Sequence, residues 1–362
     1  IIDTKEISAA DAPSRAQKLV KTNDVIFATT RPTLQRYCLI DKDYSGQIAS
    51  TGYCVLRAKE EKVLPKWILY WVSSSKFNSY VEEHQSGSAY PAISDTKVKQ
   101  FQIPIPSLSV QEEIVRILDT FTELTAELTA ELTAELTARE KQYNYYRELL
   151  LSEEELSREG CEWRSVEEVF NLKNGYTPSK SNKSYWEDGT IPWFRMEDLR
   201  ENGSVLNDSL QKISISAVKG DLFPENSIII STSATIGEHA LVTVPYLSNQ
   251  RFTNLSLKTE YEEKFDIKFL YYYCYLLGEW CRNNTTKSSF ASVDMNGFRK
   301  IKIPIPPLAE QARIVAILDK FDTLTTSIIE GLPREIELRQ QQYEYYRDLL
   351  LSFPKPNDEQ VA

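Results

Sequence analysis

Two stretches of the chain place apolar side chains at every third or fourth position, which is the spacing of one face of an α-helix. The first runs from Val110 to Leu151 without a glycine or a proline. The apolar positions are Ile114, Ile117, Leu118, Phe121, Leu124, Leu128, Leu132, Leu136 and Tyr143, and later Ile314, Ile317, Leu318, Phe321 and Leu324. We predict one helix of roughly 60 Å and a second that Gly331 and Pro333 interrupt.

Each predicted helix follows the residues IPIP, at 103–106 and at 303–306. Proline fixes φ and lacks an N–H, so these residues are expected to be extended. A helix of this length is not stable alone in water, because its apolar face needs a partner. The second copy can provide that partner, and we predict that the two long helices pack antiparallel.

The chain is an internal duplication. Residues 103–121 and 303–321 match at twelve of nineteen positions, and residues 142–152 and 342–352 match at nine of eleven, all at one offset of 200. Weaker similarities upstream indicate an apolar strand that leads into a Ser/Thr loop, an aromatic helix and a polar loop. The paired segments are DVIFATTRPTL (24–34) with NSIIISTSATIG (226–237), KWILYW (66–71) with KFLYYY (268–273), and GSAYPAIS (87–94) with KSSFASVD (287–294).

The predicted fold class is α+β: two domains of mixed strands and helices, separated by two long antiparallel helices and related by a pseudo-twofold duplication. The first variable domain is expected to lack about 50 residues that the second has, corresponding to 162–205, and so to be incomplete. The predicted boundaries are a first variable domain at 1–102, a first helical spacer at 103–157, a second variable domain at 158–302, a second helical spacer at 303–352 and a C-terminal tail at 353–362.

A four-residue repeat lies in the middle of the first helix, where Thr122–Ala138 reads TELTAELTAELTAELTA. Alanine and leucine are strong helix formers, and each TAEL unit adds about 6 Å of helix. A unit can be gained or lost without a break in the helix, so the repeat could be an adjustable spacer. Alternatively it is only a stable, acidic, solvated helix, and the residues alone leave both interpretations open.

Charge and cysteine content narrow the class of protein. The net charge is −10, but the acidic excess lies in the two helical spacers, and the two variable domains together are slightly basic. Binding of DNA by those domains is therefore permitted. Five scattered cysteines and two histidines, without a CxxC pair, disfavour a disulfide framework and a zinc site. We expect reduced thiols in a cytosolic protein without a membrane span.

Two variable domains, two copies of IPIPxLxxQxxIVxILDxF, two QYxYYRxLLLS ends and a TAEL run resemble the specificity subunit of Type I restriction-modification systems, in its TAEL-repeat (type IC-like) class. The resemblance covers the whole chain except the counterpart of 162–205 in the first domain. It implies that each variable domain is a target recognition domain that reads half of a bipartite DNA site. The TAEL helix would then set the gap between the halves.

The resemblance also implies the partners: double-stranded DNA, two modification (methyltransferase) subunits that dock on the helices, and restriction/translocase subunits. S-adenosylmethionine, ATP and magnesium would belong to those subunits, so this chain would carry no cofactor and no catalytic residue. The sequence agrees, because it has no DPPY or NPPY methyltransferase motif, no phosphate-binding GxxxxGKS or GxxxxGKT loop and no HExxH.

Base edges and phosphates are contacted by basic, amide and hydroxyl side chains on exposed loops. The first domain offers Thr29, Thr30, Arg31, Thr33 and Arg36 in TTRPTLQR, and Ser86 and Ser88 in QSGSAY. The second offers Lys173, Asn174, Tyr176, Thr177, Ser179, Lys180 and Lys183 around NGYTPSKSNK, Arg195 after Trp193 and Phe194, Thr232, Ser233 and Thr235 in STSAT, Asn249, Gln250 and Arg251 in SNQR, and Lys287 and Ser288 in TTKSS.

Each of these loops could also be an ordinary surface turn, and Tyr90 could stack on a base or simply pack. The aromatic run YYYCY at 271–275 is expected to pack inside the protein rather than to bind single strands. Two other functions remain open: a nuclease or methyltransferase in its own right, and a coiled-coil adaptor without DNA specificity. The duplicated domains with differing loops favour DNA recognition, because two similar folds suit two different half-sites.

Overall fold

A computed structural model describes residues 4–8, 10–158, 160–286, 291–326 and 331–353. The chain folds into two compact units, residues 1–134 with 335–362 and residues 135–334. Helices and strands are mixed in both, which confirms the predicted α+β class.

The domain of the first unit is built on a buried central strand. The elements are β1 (Ala16–Leu19), β2 (Val25–Ala28), β3 (Tyr37–Leu39), β4 (Ile48–Ser50), β5 (Tyr53–Leu56), α1 (Pro65–Ser73), α2 (Ser75–His84) and α3 (Asp95–Gln100). The central strand is β2, which reads VIFA and lies between β3 and β5 in an antiparallel sheet, while β1 pairs separately with β4. The helix α1 packs against β2 and β3.

The predicted long helix is confirmed as α4, Leu108–Leu150, and continues from the first unit into the second. It begins two residues before the predicted start and includes the whole TAEL repeat. The absence of glycine and proline from its interior removes the usual causes of a break.

The second unit repeats the architecture of the first on a larger scale. Its elements are α5 (Glu153–Arg158), β6 (Glu162–Ser165), α6 (Val166–Val169), β7 (Phe170–Asn174), β8 (Ile191–Phe194), α7 (Met196–Asn202), β9 (Val205–Leu206), β10 (Lys212–Ile213), β11 (Ser227–Ser231), β12 (His239–Val242), β13 (Leu247–Ser248), β14 (Phe252–Leu257), α8 (Thr259–Glu262), α9 (Ile267–Asn283), β15 (Thr285–Thr286), β16 (Ser292–Val293), α10 (Met295–Lys300) and β17 (Lys302–Ile305). The main sheet has the order β7–β14–β11–β12–β9, and smaller sheets are formed by β10–β8–β13, β17–β6 and β15–β16.

The second copy of the helical segment forms α11, Leu308–Thr326, and α12, Leu332–Leu350, which begins directly after Gly331. In the first unit the Phe121 and Tyr346 rings lie 6.0 Å apart, and the hydroxyls of Thr122 and Tyr343 are 3.0 Å apart. Residue numbers rise along α4 as they fall along α12, so this packing is antiparallel, as predicted.

The same arrangement occurs in the second unit, where the end of α4 packs on α11. The rings of Tyr143 and Tyr146 stack on Phe321 at 6.1 and 5.6 Å. Each unit therefore combines the beginning of one helical segment with the end of the other.

The predicted aromatic helices are α1 and α9, and both are buried against their sheets. Trp67 and Trp71 of α1 are buried, as are Tyr271, Tyr272 and Tyr273 of α9. The run YYYCY therefore packs in the core, as expected, and does not offer a stacking surface. The strand predicted from the match between residues 24–34 and 226–237 is also confirmed, because β2 and β11 are both central strands of their sheets.

His239 makes the stability of the second unit sensitive to acid. It is buried between the rings of Tyr271 and Tyr275, at 5.5 and 4.5 Å, and this burial lowers its pKa to about 4. Between pH 6.5 and 4 the unfolded chain binds a proton that the folded chain does not, so stability falls as pH falls through this window. The expected loss is about 3 kcal/mol.

Urea unfolding at a series of pH values from 7.5 to 4 checks this expectation. We expect His239→Gln to have a flatter dependence of the unfolding free energy on pH than the natural chain. His84→Gln, which removes the half-buried histidine of the first unit, is the matched control and should keep the natural slope. Equal slopes for all three proteins would show that His239 is not the group responsible.

Candidate nucleic-acid interface

The loop after β2 carries the first set of predicted residues. Thr29 is buried, and its hydroxyl donates to the Gly52 carbonyl at 3.0 Å, so it shapes the loop from within. Thr30, Arg31, Thr33 and Arg36 are exposed. Arg36 Nη2 donates to the Thr30 carbonyl at 3.0 Å, and Arg31 has a left-handed backbone with φ of 48°. The loop therefore presents two guanidinium groups on one short turn.

A second loop comes to the same place through backbone pairing with Ala92. Ala92 pairs with both Thr30 and Ser86, which brings residues 86–92 beside the loop after β2. Ser86 and Ser88 are both exposed there. The Tyr90 ring is 76% exposed, so it does not pack in the core as one interpretation of the sequence proposed.

Together these loops form an arginine–tyrosine cleft of about 480 Å³, lined by Arg15, Thr30, Arg31, Arg36, Tyr90, Pro91 and Ala92. The Arg31 guanidinium lies 5.5 Å from the centre of the Tyr90 ring. Three arginines with an exposed ring suit contact with a phosphate backbone or an adjacent base. Sequence reasoning missed Arg15, because nothing local connects it to a loop fifteen residues later.

In the second unit the loops NGYTPSKSNK and SNQR are joined. The Tyr176 backbone N–H donates to the Ser248 carbonyl at 2.8 Å, and the Thr177 hydroxyl donates to Gln250 Oε1 at 2.6 Å. Gly175 makes this approach possible, because a Cβ at this position would overlap the backbone oxygen of Ser248. The two predicted segments thus form one composite loop.

The composite loop exposes some of its predicted residues and uses others internally. Gln250 and Arg251 are exposed, and Arg251 makes no side-chain bond to any described residue. Asn249 Oδ1 accepts from the Arg251 backbone N–H at 3.0 Å, so this side chain shapes the loop. The Tyr176 hydroxyl is likewise used, since it accepts from the Lys219 backbone N–H at 2.6 Å.

At the base of the loop, Asn174 accepts a hydrogen bond from Thr253 at 2.8 Å, while the neighbouring side chain of Lys173 is exposed.

The loop STSAT faces the interior more than the composite loop does. Thr232 is buried with its hydroxyl 3.2 Å from that of Thr253, and Ser233 and Thr235 are half-buried. Lys287 and Ser288 lie outside the described residues.

A second cleft, of about 360 Å³, contains the remaining basic residues of NGYTPSKSNK. Its lining is Lys180, Lys183, Trp186, Glu187, Trp193, Arg195 and Gln211. The rings of Trp186 and Trp193 meet edge to face at 5.0 Å, and the half-buried Arg195 guanidinium lies 5.6 Å from the Trp193 ring. Ser179 is exposed beside it and its carbonyl accepts from Trp186 Nε1 at 3.1 Å.

Both units therefore offer cationic side chains beside aromatic rings, at loops supported by a sheet. Within the described ranges, no cluster of three or more His, Cys, Asp or Glu side chains is placed to hold a metal ion. Nor does any helix of the described part have the length and apolar character needed to cross a membrane. The exposed basic, amide and hydroxyl side chains of these loops suit polar recognition.

Comparison with known proteins gives consistent matches. The family model of the Type I restriction modification DNA specificity domain matches residues 6–138 and 158–338. The specificity subunit of the Type I restriction enzyme EcoprrI of Escherichia coli is 62% identical over 200 residues, which are 53% of this chain and 50% of that subunit. The EcoR124I/EcoR124II specificity subunit of Escherichia coli is 42% identical over 333 residues, 88% of this chain and 78% of that one.

Two solved structures resemble the fold. One is the HsdS subunit from Thermoanaerobacter tengcongensis, at 26% identity and a TM-score of 0.56, with 96% of this chain and 84% of that chain covered. The other comes from work on complex assembly and conformational transition of the type I R-M system, at 26% identity and a TM-score of 0.69, with 96% and 86% covered.

Proposed function

The chain belongs to the family of Type I restriction modification DNA specificity domains, and from this membership we propose that it is the non-catalytic subunit that reads a DNA target in two separated halves. The observation that carries the proposal is the duplication of one architecture, with different cationic and aromatic loops in each copy. The alternative of a protein-only adaptor offers no reason for two such clefts.

In this proposal the domains at 1–102 and 158–302 each read one half-site, and the segments at 103–157 and 303–352 are the helical spacers. The exposed side chains contact DNA, and the inward-facing ones, Thr29, Tyr176 and Thr232, hold the loops in shape. The proposed contacts are Thr30, Arg31, Thr33, Arg36, Ser86, Ser88, Lys173, Ser179, Lys180, Lys183, Gln250 and Arg251, together with the half-buried Thr177, Arg195, Ser233 and Thr235.

The partners are proposed from the relatives. The chain spans about half the length of the EcoprrI subunit that it matches and 78% of the EcoR124I/EcoR124II subunit. We assign docking of two modification subunits to the helical spacers, one per copy, with restriction/translocase subunits added to that assembly. In this proposal S-adenosylmethionine, ATP and magnesium belong to those partners. We further propose, from its TAEL repeat, that the chain is of the type IC-like class and that α4 is the spacer between half-sites.

The test is a methylome. The chain is expressed with its modification subunit in cells that lack other methyltransferases, and methylated bases are mapped by sequencing. We expect a single target made of two short specific halves separated by a gap of fixed length. Methylation of a continuous target, or methylation that depends on no sequence, would contradict the proposal, and an adaptor without DNA specificity predicts the latter.

A further inference from the structure

Both units attach the variable domain to its helix through the same set of polar contacts. In the first unit Asp119 of α4 accepts from Lys66 Nζ at 2.7 Å and from the Tyr70 hydroxyl at 2.6 Å. In the second unit Asp319 of α11 accepts from Lys268 Nζ at 2.6 Å and from the Tyr272 hydroxyl at 2.6 Å. The two sets of distances are the same within 0.1 Å.

A buried glutamine forms a second attachment point at the start of each helix. Gln111 Oε1 accepts from the Leu64 backbone N–H at 3.0 Å, and its Nε2 donates to the carbonyls of Lys62 and Pro106 at 2.9 and 2.8 Å. The side chain is fully buried. The three bonds satisfy the carbonyl and both N–H groups of the amide. Loss of these bonds would leave buried polar groups unpaired, which costs folding free energy.

Gln311 repeats this attachment in the second unit. It accepts from the Asp266 backbone N–H at 2.8 Å and donates to the carbonyls of Lys264 and Pro306 at 2.9 and 2.8 Å. It too is fully buried. We call Gln111, Asp119, Lys66 and Tyr70 the first clasp, and Gln311, Asp319, Lys268 and Tyr272 the second clasp.

The clasps persist although the chain between their parts differs in length. The helical segments match at an offset of 200, whereas Lys66 and Tyr70 match Lys268 and Tyr272 at an offset of 202. The connecting chain of the first unit is thus two residues longer, and the loops around it have diverged. The same contacts therefore form in both units even though the connecting chains differ in length.

The geometry of a clasp fixes direction as well as position. The glutamine and the aspartate are eight residues apart, which is about 12 Å along a helix. One attachment point would leave the domain free to pivot, but two points at this distance oppose rotation about either. Burial and then the bond to the carboxylate raise the pKa of Tyr70 and Tyr272, so both hydroxyls remain donors at neutral pH.

We propose that the two clasps are positioning devices that hold each variable domain at a fixed orientation on its helix, and so restrict the protein to one gap between the half-sites of its target. The inference rests on the proposed function, since it assigns a role in DNA recognition to residues that do not themselves contact DNA. Two domains that read different sequences need different loops but the same attachment to their helices, which is the pattern seen here.

The test uses the complex of this chain with its modification subunit and a pool of DNA in which the two half-sites are separated by gaps of every length from short to long. The methylated fraction at each gap is read by sequencing. Asp119→Asn and Asp319→Asn weaken the two clasps, and Tyr272→Phe removes one hydroxyl and keeps the ring. Glu113→Gln, which breaks only an exposed ion pair with Arg116 within α4, is the control.

We expect each clasp variant to raise methylation at gaps one base pair from the natural length by about tenfold, with both half-site sequences unchanged. The control should keep the natural gap profile. A clasp variant that unfolds at a lower temperature but keeps the natural profile would overturn the proposal, because a purely stabilising role predicts that result. If the natural chain itself has no split target, the proposed function fails first and the clasps lose this role with it.

Discussion

Removal of one TAEL unit, Thr129–Leu132, is expected to bring the two halves of the DNA target closer by one or two base pairs and to leave their sequences unchanged. One unit is about 6 Å of helix, whereas a base-pair step is about 3.4 Å. Methylation of the original target should fall by at least about a hundredfold, since one displaced domain loses its specific contacts.

The structure favours this result because the shortened segment would still form one uninterrupted helix. Residues 133–136 repeat residues 129–132, so the shortened chain has the same local sequence at the junction. Thr133 Oγ1 donates to the Thr129 carbonyl at 2.7 Å inside a continuous α4, and no loop or cap lies within the repeat. Helix propensity is retained, while the removal of four residues shortens the helix by about 6 Å and turns the residues after the deletion by about 40° about its axis.

Methylome sequencing of the deletion, and of a matched insertion of one further unit, provides the measurement. The insertion should widen the gap by the same amount that the deletion narrows it. Glu131→Gln, an exposed change within the same unit that preserves its length, is the control and should keep the natural gap. If the gap stayed constant in the deletion and the insertion, α4 would not be the spacer, and the repeat would be only a solvated helix.

The helices were predictable because their signals are local. An uninterrupted stripe from Val110 to Leu151 predicted α4 to within two residues, and the glycine at 331 was recognised as a point of interruption. The antiparallel pairing followed from the duplication and from the need to cover two apolar stripes. The central strands β2 and β11 were recognised from short apolar runs that precede Ser/Thr loops.

The clefts and the clasps were not predictable to the same degree, since they are made by residues distant in sequence. Arg15 and Tyr90 line one cleft because the Thr51 N–H donates to the Arg15 carbonyl and Ala92 pairs with Thr30, and both of these contacts join residues far apart in the sequence. Gln111 occupies a polar position of an amphipathic helix, where a solvated side chain is the usual interpretation, yet it is fully buried. Thr232 looked like an exposed hydroxyl, but it is buried and its hydroxyl lies 3.2 Å from that of Thr253 on β14.

Gly175→Ala is expected to weaken recognition of the second half-site by about a hundredfold. An added Cβ would overlap the backbone oxygens of Ser248 and Asn249, which cannot rotate away as a side-chain end could. The composite loop would have to open, with loss of the Tyr176 and Thr177 bonds that join its two parts. Backbone displacement of this kind costs about 1–3 kcal/mol or more of folding free energy.

Gly220→Ala in the same unit is the matched control, because no atom outside its own neighbourhood lies within 4 Å of the added Cβ. Its φ of 82° makes the exchange cost about 1 kcal/mol of folding free energy, without any clash.

Binding of the methyltransferase complex to DNA with only the second half-site altered measures discrimination at that half-site. Thermal unfolding measures the loss of stability, so the two effects are separated. We expect Gly175→Ala to lose discrimination at the second half-site by about a hundredfold and to keep it at the first. Equal discrimination by the two variants would mean that the contact between residues 175–177 and 248–250 does not form the reading surface, and that the tryptophan cleft lined by Trp186 and Trp193 would have to supply the specificity by itself.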